Sequence, residues 1–224
     1  MLYFIKKIFI GAKAGSGEKM DNAYKQQIRY LKEIWNDHTY GLERAFRLFL
    51  CLVQFIYPTL LVRSIFSGWE ATVRKLSVEF YLIIKFLLPI FILASGLYRY
   101  NFVIILIIYL LSETIFHILN LIFLSDIYSV SVIFRRSILF LFLHYIEVVL
   151  DFSTVYLRFD LLNKTLTPIS AVYYSFVTNT TLGYGEYHPK GDIGQIVVIF
   201  QLIIFIMFVV LFINYFSSRI NNKD

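Results

Sequence analysis

The sequence predicts an all-α membrane protein, a bundle of transmembrane helices, on three observations. First, 58% of the residues are hydrophobic and only 16% are charged, whereas soluble domains are roughly 45–50% apolar and about 25% charged. Second, the apolar residues are gathered into long runs separated by short polar loops. Third, four of these runs approach the roughly 20 residues that a helix needs to cross a bilayer.

The composition also narrows the classes of protein that remain. The formal net charge is +6, and basic loops that fix the orientation of the spans explain it better than a nucleic-acid partner does. The single cysteine, Cys51, excludes an intrachain disulfide framework. No catalytic or metal-ligand motif surrounds the polar residues, so we expect neither an enzyme nor an organic cofactor.

Residues 1–47 form a polar segment that holds nine Lys/Arg and five Asp/Glu. Within it, residues 21–37 are predicted to be a helix capped by Asp21 or Asn22. Its apolar residues fall at spacings of four, three and four, which makes one stripe of Tyr24, Ile28, Leu31 and Trp35. We expect this helix to lie on the membrane interface or to pack on a neighbour; a regulatory partner at this segment is the alternative.

Five apolar runs follow: Leu48–Val62, Phe80–Tyr98, Phe102–Leu124, Ser137–Tyr156 and Ile193–Ser218. The first is marginal in length and is broken by Pro58, so we expect a re-entrant or interfacial segment there, with a five-span chain as the alternative. With four spans, the basic loops and both termini are cytoplasmic, as the positive-inside rule requires. We therefore expect a multi-pass protein of the plasma membrane.

The predicted organisation has five parts: a cytoplasmic segment (1–47), a re-entrant or interfacial segment with its loop (48–77), two peripheral spans (78–136), a two-span module (137–218) and a short tail (219–224). Six residues after Ser218 are too few for a ligand-binding domain. We expect any regulator to act through the N-terminal segment, the first two spans, lipid or a separate partner.

The loop between the last two spans contains a short helix and a glycine-rich segment. Thr167 can cap a helix over residues 168–179, and Pro168 suits its first turn. At about 18 Å this helix is too short to cross a bilayer. The stretch TTLGYGE follows it, from Thr180 to Glu186. Irregular backbone at membrane depth is tolerated only when it is buried in protein or lines a water-filled path.

This region resembles the potassium channels, which are tetrameric pore-loop channels with a two-span pore module. TLGYG, at residues 181–185, is similar to their selectivity-filter signature. An aromatic pair, Tyr173 and Tyr174, stands eight and seven residues before Thr181, where the family carries aromatic residues on its pore helix. Thr180 before the filter and Pro189 after it also fit. The resemblance covers roughly residues 137–218.

The resemblance implies that four chains bring their loops around one axis, where main-chain oxygens replace the hydration shell of a potassium ion. The expected ion-binding residues are Thr181, Leu182, Gly183, Tyr184 and Gly185, with K⁺ at the first four. The expected filter supports are Thr180, Tyr173, Tyr174 and Glu186.

Three departures from the family pattern stand out. Leu182 replaces the usual valine, and we expect its side chain to pack behind the filter. Glu186 replaces the usual aspartate, and we expect it to accept a hydrogen bond from the Tyr174 hydroxyl. Phe205 occupies the place of the glycine hinge that many members have in the inner helix, so we expect no sharp kink there.

Ionisable residues inside the predicted spans are functional candidates by default. They are Lys85, Glu113, His117, His144, Glu147 and Asp151. A Lys85–Glu113 ion pair is expected, and the last three residues share one helical face by their spacings of three and four. Interhelical packing is the simpler interpretation, and proton or voltage sensing is the alternative. No span has the arginine ladder of a voltage sensor.

These observations together predict a homotetrameric potassium channel that conducts K⁺ passively and contacts membrane lipid. Two alternatives remain open. One is a weakly selective cation channel with a distorted filter, and the other is a membrane effector or scaffold whose pore-like module does not conduct.

Overall fold

A computed structural model of the chain describes residues 22–38, 40–67, 71–127 and 134–221. The α-helices in these ranges are α1 (Ala23–Asn36), α2 (Gly41–Val53), α3 (Pro58–Ile65), α4 (Ala71–Ser95), α5 (Asn101–Phe123), α6 (Phe134–Phe159), α7 (Pro168–Asn179) and α8 (Gly191–Asn221). Two 3₁₀ turns, Gln54–Ile56 and Leu97–Arg99, join neighbouring helices. The helices form two compact units, one up to Ile84 and one from Lys85 onward.

The first unit begins with the capped helix that the sequence predicts. The Tyr24 amide donates to the Asn22 side-chain oxygen at 3.0 Å, so Asn22 is the N-cap. The buried face of α1 is not the predicted apolar stripe, because Ile28 and Trp35 are 47% and 64% exposed. The helix buries Ala23, Gln27 and Ile34 instead.

Gln27 explains why a polar residue can occupy this buried face. Its side-chain amide donates to the main-chain carbonyl of Cys51 at 2.9 Å, and a satisfied amide costs little to bury. Three residues of the predicted stripe, Ile28, Leu31 and Trp35, line an open apolar groove on α1 and α2. Its other apolar members are Leu48 and Leu52.

The predicted re-entrant segment lies in α2 and α3. These helices, with the 3₁₀ turn between them, are bent by 65° at Tyr57, the geometry of a broken span or of a re-entrant loop. Pro58 is the first residue of α3, where its missing N–H removes no helical hydrogen bond.

The predicted four spans are present in the described residues as long apolar helices. Helices long and apolar enough to cross a membrane cover Val73–Ser95, Asn101–Phe123, Arg136–Phe159 and Gly191–Tyr215. The helix of the first span differs at both ends from the apolar run Phe80–Tyr98. It is helical well before Phe80, and it ends at Ser95 because Gly96 takes a left-handed conformation, with φ of 75°, before the 3₁₀ turn.

The second unit is organised around α6. Within the candidate span of α6, 61% of residues are buried, against 22% in the span of α8. The core includes Phe152 and Tyr156 of α6 with Ile204 and Phe208 of α8. Helix α8 therefore packs on α6 along one side and leaves most of its apolar surface open in the single chain.

Candidate functional site

The short helix α7 begins as the sequence predicts. Thr167 and Ser170 form a capping box in which each side chain bonds the main-chain amide of the other residue, at 3.2 and 2.7 Å. Pro168 takes the first helical position. The cap and the proline together fix where the helix starts.

The C-terminal end of α7 is joined directly to the TLGYG segment. The amide of Thr181 donates to the carbonyl of Thr178 at 3.0 Å, and the amide of Leu182 donates to the carbonyl of Val177 at 3.1 Å. This pair of bonds is a Schellman motif, in which the residue just past the helix has a left-handed backbone. Thr181 occupies that position, with φ of 58°.

Thr181 is an unusual residue for that conformation. Glycine or asparagine normally fills it, and a side chain with a Cβ atom costs about 1–2 kcal/mol in the left-handed region. A β-branched residue held at positive φ is a strained position, and such positions cluster at functional sites.

The positive φ angles continue at alternate residues through the segment. Gly183 and Gly185 have φ of 58° and 81°, while Leu182 and Tyr184 do not have positive φ. In a regular β-strand, successive carbonyls point in opposite directions. Positive φ at every second residue departs from this regular strand conformation, and glycine permits it without steric cost.

The aromatic ring of Tyr184 lies beside the short helix α7. Its ring is parallel to that of Tyr173, with an interplanar angle of 3° and centroids 6.5 Å apart. Tyr187 contacts the Tyr173 ring edge-on and also contacts the Tyr174 ring. These contacts hold the segment beside α7. In the single chain, Leu182 is 60% exposed, and its expected packing behind the filter of a tetramer stays a prediction.

The expected hydrogen bond between Glu186 and Tyr174 is not formed between these two described residues. The Tyr174 hydroxyl bonds Thr178 instead; burial raises the pKa of Tyr174, and this hydrogen bond lowers it by less. Glu186 acts on the other tyrosine, since desolvation and then the Glu186 carboxylate raise the pKa of Tyr173. Glutamate is one methylene longer than the usual aspartate, and its carboxylate acts on the first aromatic position.

A buried polar network joins α6, α7 and α8, and it is not among the predictions from the sequence. The Tyr156 hydroxyl donates to the Gln201 side-chain oxygen at 2.6 Å. The Gln201 amide donates to the carbonyl and the hydroxyl of Ser175, at 3.1 and 3.0 Å. The Ser175 hydroxyl donates to the carbonyl of Val149 at 2.7 Å. All three side chains are fully buried.

This network connects α6, α7 and α8. One signal in the sequence could have found it, because Gln201 is the one amide in the middle of an otherwise apolar inner span. A buried polar group within a span needs a partner on a neighbouring helix. Gln201, Tyr156 and Ser175 therefore hold α7, from which the TLGYG segment extends, against α6 and α8.

The predicted intramembrane residues lie together, outside the TLGYG segment. Lys85 of α4 forms ion pairs with Glu113 of α5 at 3.2 Å and with Glu147 of α6 at 3.3 Å, which confirms the expected Lys85–Glu113 pair. His144 lies 2.9 Å from Glu147, and its ring is 5.3 Å from that of His117. The cluster ties the two peripheral helices to α6.

Among the described residues, no group of three or more His, Cys, Asp or Glu is placed to hold a metal ion.

The comparison with protein families agrees with this geometry. Residues 144–222 match the family described as "Ion channel". The match begins within α6, at residue 144, and includes α7, the TLGYG segment and α8. No curated protein and no solved structure gives a match.

The matched region is similar to a membrane ion channel. It makes up roughly a third of the chain, and it carries the TLGYG segment and the Tyr173–Tyr174 pair of the potassium-channel resemblance. The family match supports that resemblance.

Proposed function

We propose that the chain is a potassium-selective channel that conducts K⁺ passively across the plasma membrane as a homotetramer. The observation that carries the proposal is the backbone of residues 181–185, where positive φ recurs at every second residue directly after the cap of α7. Four such segments around one axis give rings of carbonyl oxygens that replace the water around a potassium ion. No bond is made or broken in this process.

The open surface of α8 supports the tetramer. Many of its apolar side chains are exposed in the single chain, among them Ile196, Ile203 and Ile206 at 50–63%. The TLGYG residues, with the neighbouring Glu186, are exposed on the same module. An incomplete pore presents such surfaces, since a single loop supplies only a quarter of the oxygen rings.

The orientation of α7 also favours a cation. The C-terminal end of a helix carries partial negative charge because the peptide dipoles of the helix are aligned. In α7 this end adjoins Thr181, the inner end of the proposed filter. A cation that enters from the inner side meets this end first.

The test is potassium flux from the purified protein in liposomes, with Gly183→Ala as the inactivating variant. Gly183 has φ of 58° and nothing within 4 Å of a built Cβ atom, so alanine is strained by its backbone and not by crowding. Gly96→Ala is the matched control, because Gly96 has φ of 75°, equally open surroundings and a place in the hairpin between α4 and α5.

We expect Gly183→Ala to abolish potassium flux and Gly96→Ala to retain it, although both carry a strain of about 1–2 kcal/mol. Equal flux from the two variants would contradict a filter at Gly183. Flux of sodium as fast as potassium would indicate the weakly selective channel, and a folded protein without any flux would indicate the scaffold.

A further inference from the structure

Five ionisable side chains are buried together where α4, α5 and α6 meet. None of them is more than 5% exposed. They are Lys85, Glu113, His144, Glu147 and Asp151. The packing of the two peripheral helices on α6 therefore depends on how these charges balance.

The ammonium group of Lys85 has no donor to spare. Its nitrogen lies 2.6 Å from the Thr114 hydroxyl, 3.2 Å from Glu113 and 3.3 Å from Glu147. An ammonium group has three N–H donors. These three acceptors account for all of them.

Both oxygens of the Glu147 carboxylate also have polar partners. One oxygen accepts from the Thr114 hydroxyl at 3.1 Å as well as from Lys85. The other oxygen lies 2.9 Å from Nδ1 of His144. Glu147 can therefore remain charged, since opposite charge and hydrogen bonds compensate for its burial.

Asp151 lacks such support. It lies one helical turn after Glu147 on the same face of α6, and it is only 1% exposed. Its Oδ2 atom has no hydrogen-bond partner in the described part of the chain. A buried carboxylate without partners is far more costly than a neutral carboxylic acid.

The net negative charge of the cluster also favours an added proton. Three carboxylates against one ammonium leave the cluster at −2, and a proton on Asp151 brings it to −1. The remaining elements packed on α6 offer no other cation: α7 and the apolar run of α8 have no Asp, Glu, Lys, Arg or His, and Arg99 of the 3₁₀ turn is exposed. His117 of α5 faces the His144 ring.

We propose that Asp151 is a proton-binding site, which holds its proton at neutral pH while α4 and α5 are packed on α6 and releases it when that packing loosens. The site is coupled to the pore module through α6, because the carbonyl of Val149, two residues before Asp151, accepts the hydrogen bond of Ser175 on α7. This inference does not depend on potassium conduction.

The first test is infrared spectroscopy of the purified protein in lipid nanodiscs at neutral pH, with and without ¹³C-labelled aspartate. Within residues 22–38, 40–67, 71–127 and 134–221, Asp151 is the one buried aspartate. We expect a protonated-carboxyl band that shifts on labelling and disappears in Asp151→Asn. The matched control is Asp192→Asn, since Asp192 is exposed at the start of α8, and it should leave the band unchanged.

A wild-type spectrum without a label-sensitive protonated-carboxyl band would overturn the proposal, and this measurement needs no variant to fold. The same conclusion would follow from a band that survives in Asp151→Asn.

The second test is the pH dependence of the unfolding equilibrium. A proton that the folded state binds and the unfolded state releases makes stability fall as pH rises, by up to tenfold in the equilibrium constant per pH unit. We expect Asp151→Asn to remove this dependence above the pH at which an exposed aspartate ionises. Parallel curves for the wild type and Asp151→Asn would refute the proton site.

Discussion

Replacement of Gln201 by leucine would test whether the buried hydrogen-bond network of Tyr156, Gln201 and Ser175 holds α6, α7 and α8 together. The change keeps the side chain close to its original size and removes the acceptor of the Tyr156 hydroxyl, which is fully buried. A buried polar group left without a partner costs about 1–3 kcal/mol. Tyr156→Phe should cost a similar amount, because it leaves the Gln201 oxygen without its donor.

The double variant distinguishes a shared hydrogen bond from two separate packing effects. With both partners replaced, no donor or acceptor of this bond remains unsatisfied, so the combined cost should be less than the sum of the single costs. We expect a coupling energy of about 1 kcal/mol, since coupling energies between membrane helices average about 0.6 and reach about 1.7 kcal/mol.

The assay is the free energy of unfolding in mixed detergent micelles, measured by SDS titration. The matched control is Gln195→Leu, which places the same change on an exposed residue near the start of α8 and should shift the unfolding free energy by no more than about 0.5 kcal/mol. Strict additivity of the Tyr156 and Gln201 changes would refute the view that this bond couples α6 to α8.

Two further predictions concern the ion-pair cluster and the cap of α7. Lys85→Met should destabilise the protein by about 3–5 kcal/mol, because Glu113 and Glu147 lose their common cation; an additional Glu113→Gln change should recover part of this loss in the same SDS titration, and no recovery would argue against a shared ion pair. Thr181→Gly should raise stability by about 1–2 kcal/mol by relieving its left-handed backbone, yet it should reduce potassium flux, because the hydroxyl ring at the inner end of the filter is lost. Thr181→Ser should retain both the strain and the flux, and a Thr181→Gly channel that conducts like the wild type would contradict a role for the hydroxyl.

The helices of the second unit could be predicted from the sequence because their signals are local. Apolar length defines the spans, and the Thr167–Pro168 pair defines the start of α7. The end of α4 cannot be predicted from hydropathy, because the apolar run continues to Tyr98, whereas the left-handed backbone at Gly96 ends the helix earlier. A hydropathy profile carries no information about the backbone conformation of a single residue.

Side-chain partners were harder to predict because they depend on how the helices pack. The Lys85–Glu113 pair could be inferred, since two opposite charges in neighbouring spans lower the cost of burying both of them. The role of Gln201 could not be read from its neighbours in sequence, because its partners Tyr156 and Ser175 lie 45 and 26 residues away. The buried face of α1 was missed for the same reason, since the partner of Gln27 is a main-chain carbonyl of α2.

The most direct test of the central claim is the reversal potential of single channels in planar bilayers with potassium on one side and sodium on the other. If main-chain oxygens of residues 181–185 replace the hydration shell of potassium, the current should reverse near the potassium equilibrium potential, and Gly183→Ala should eliminate the current. A reversal potential near zero in the wild type, or an unchanged current in Gly183→Ala, would contradict this account.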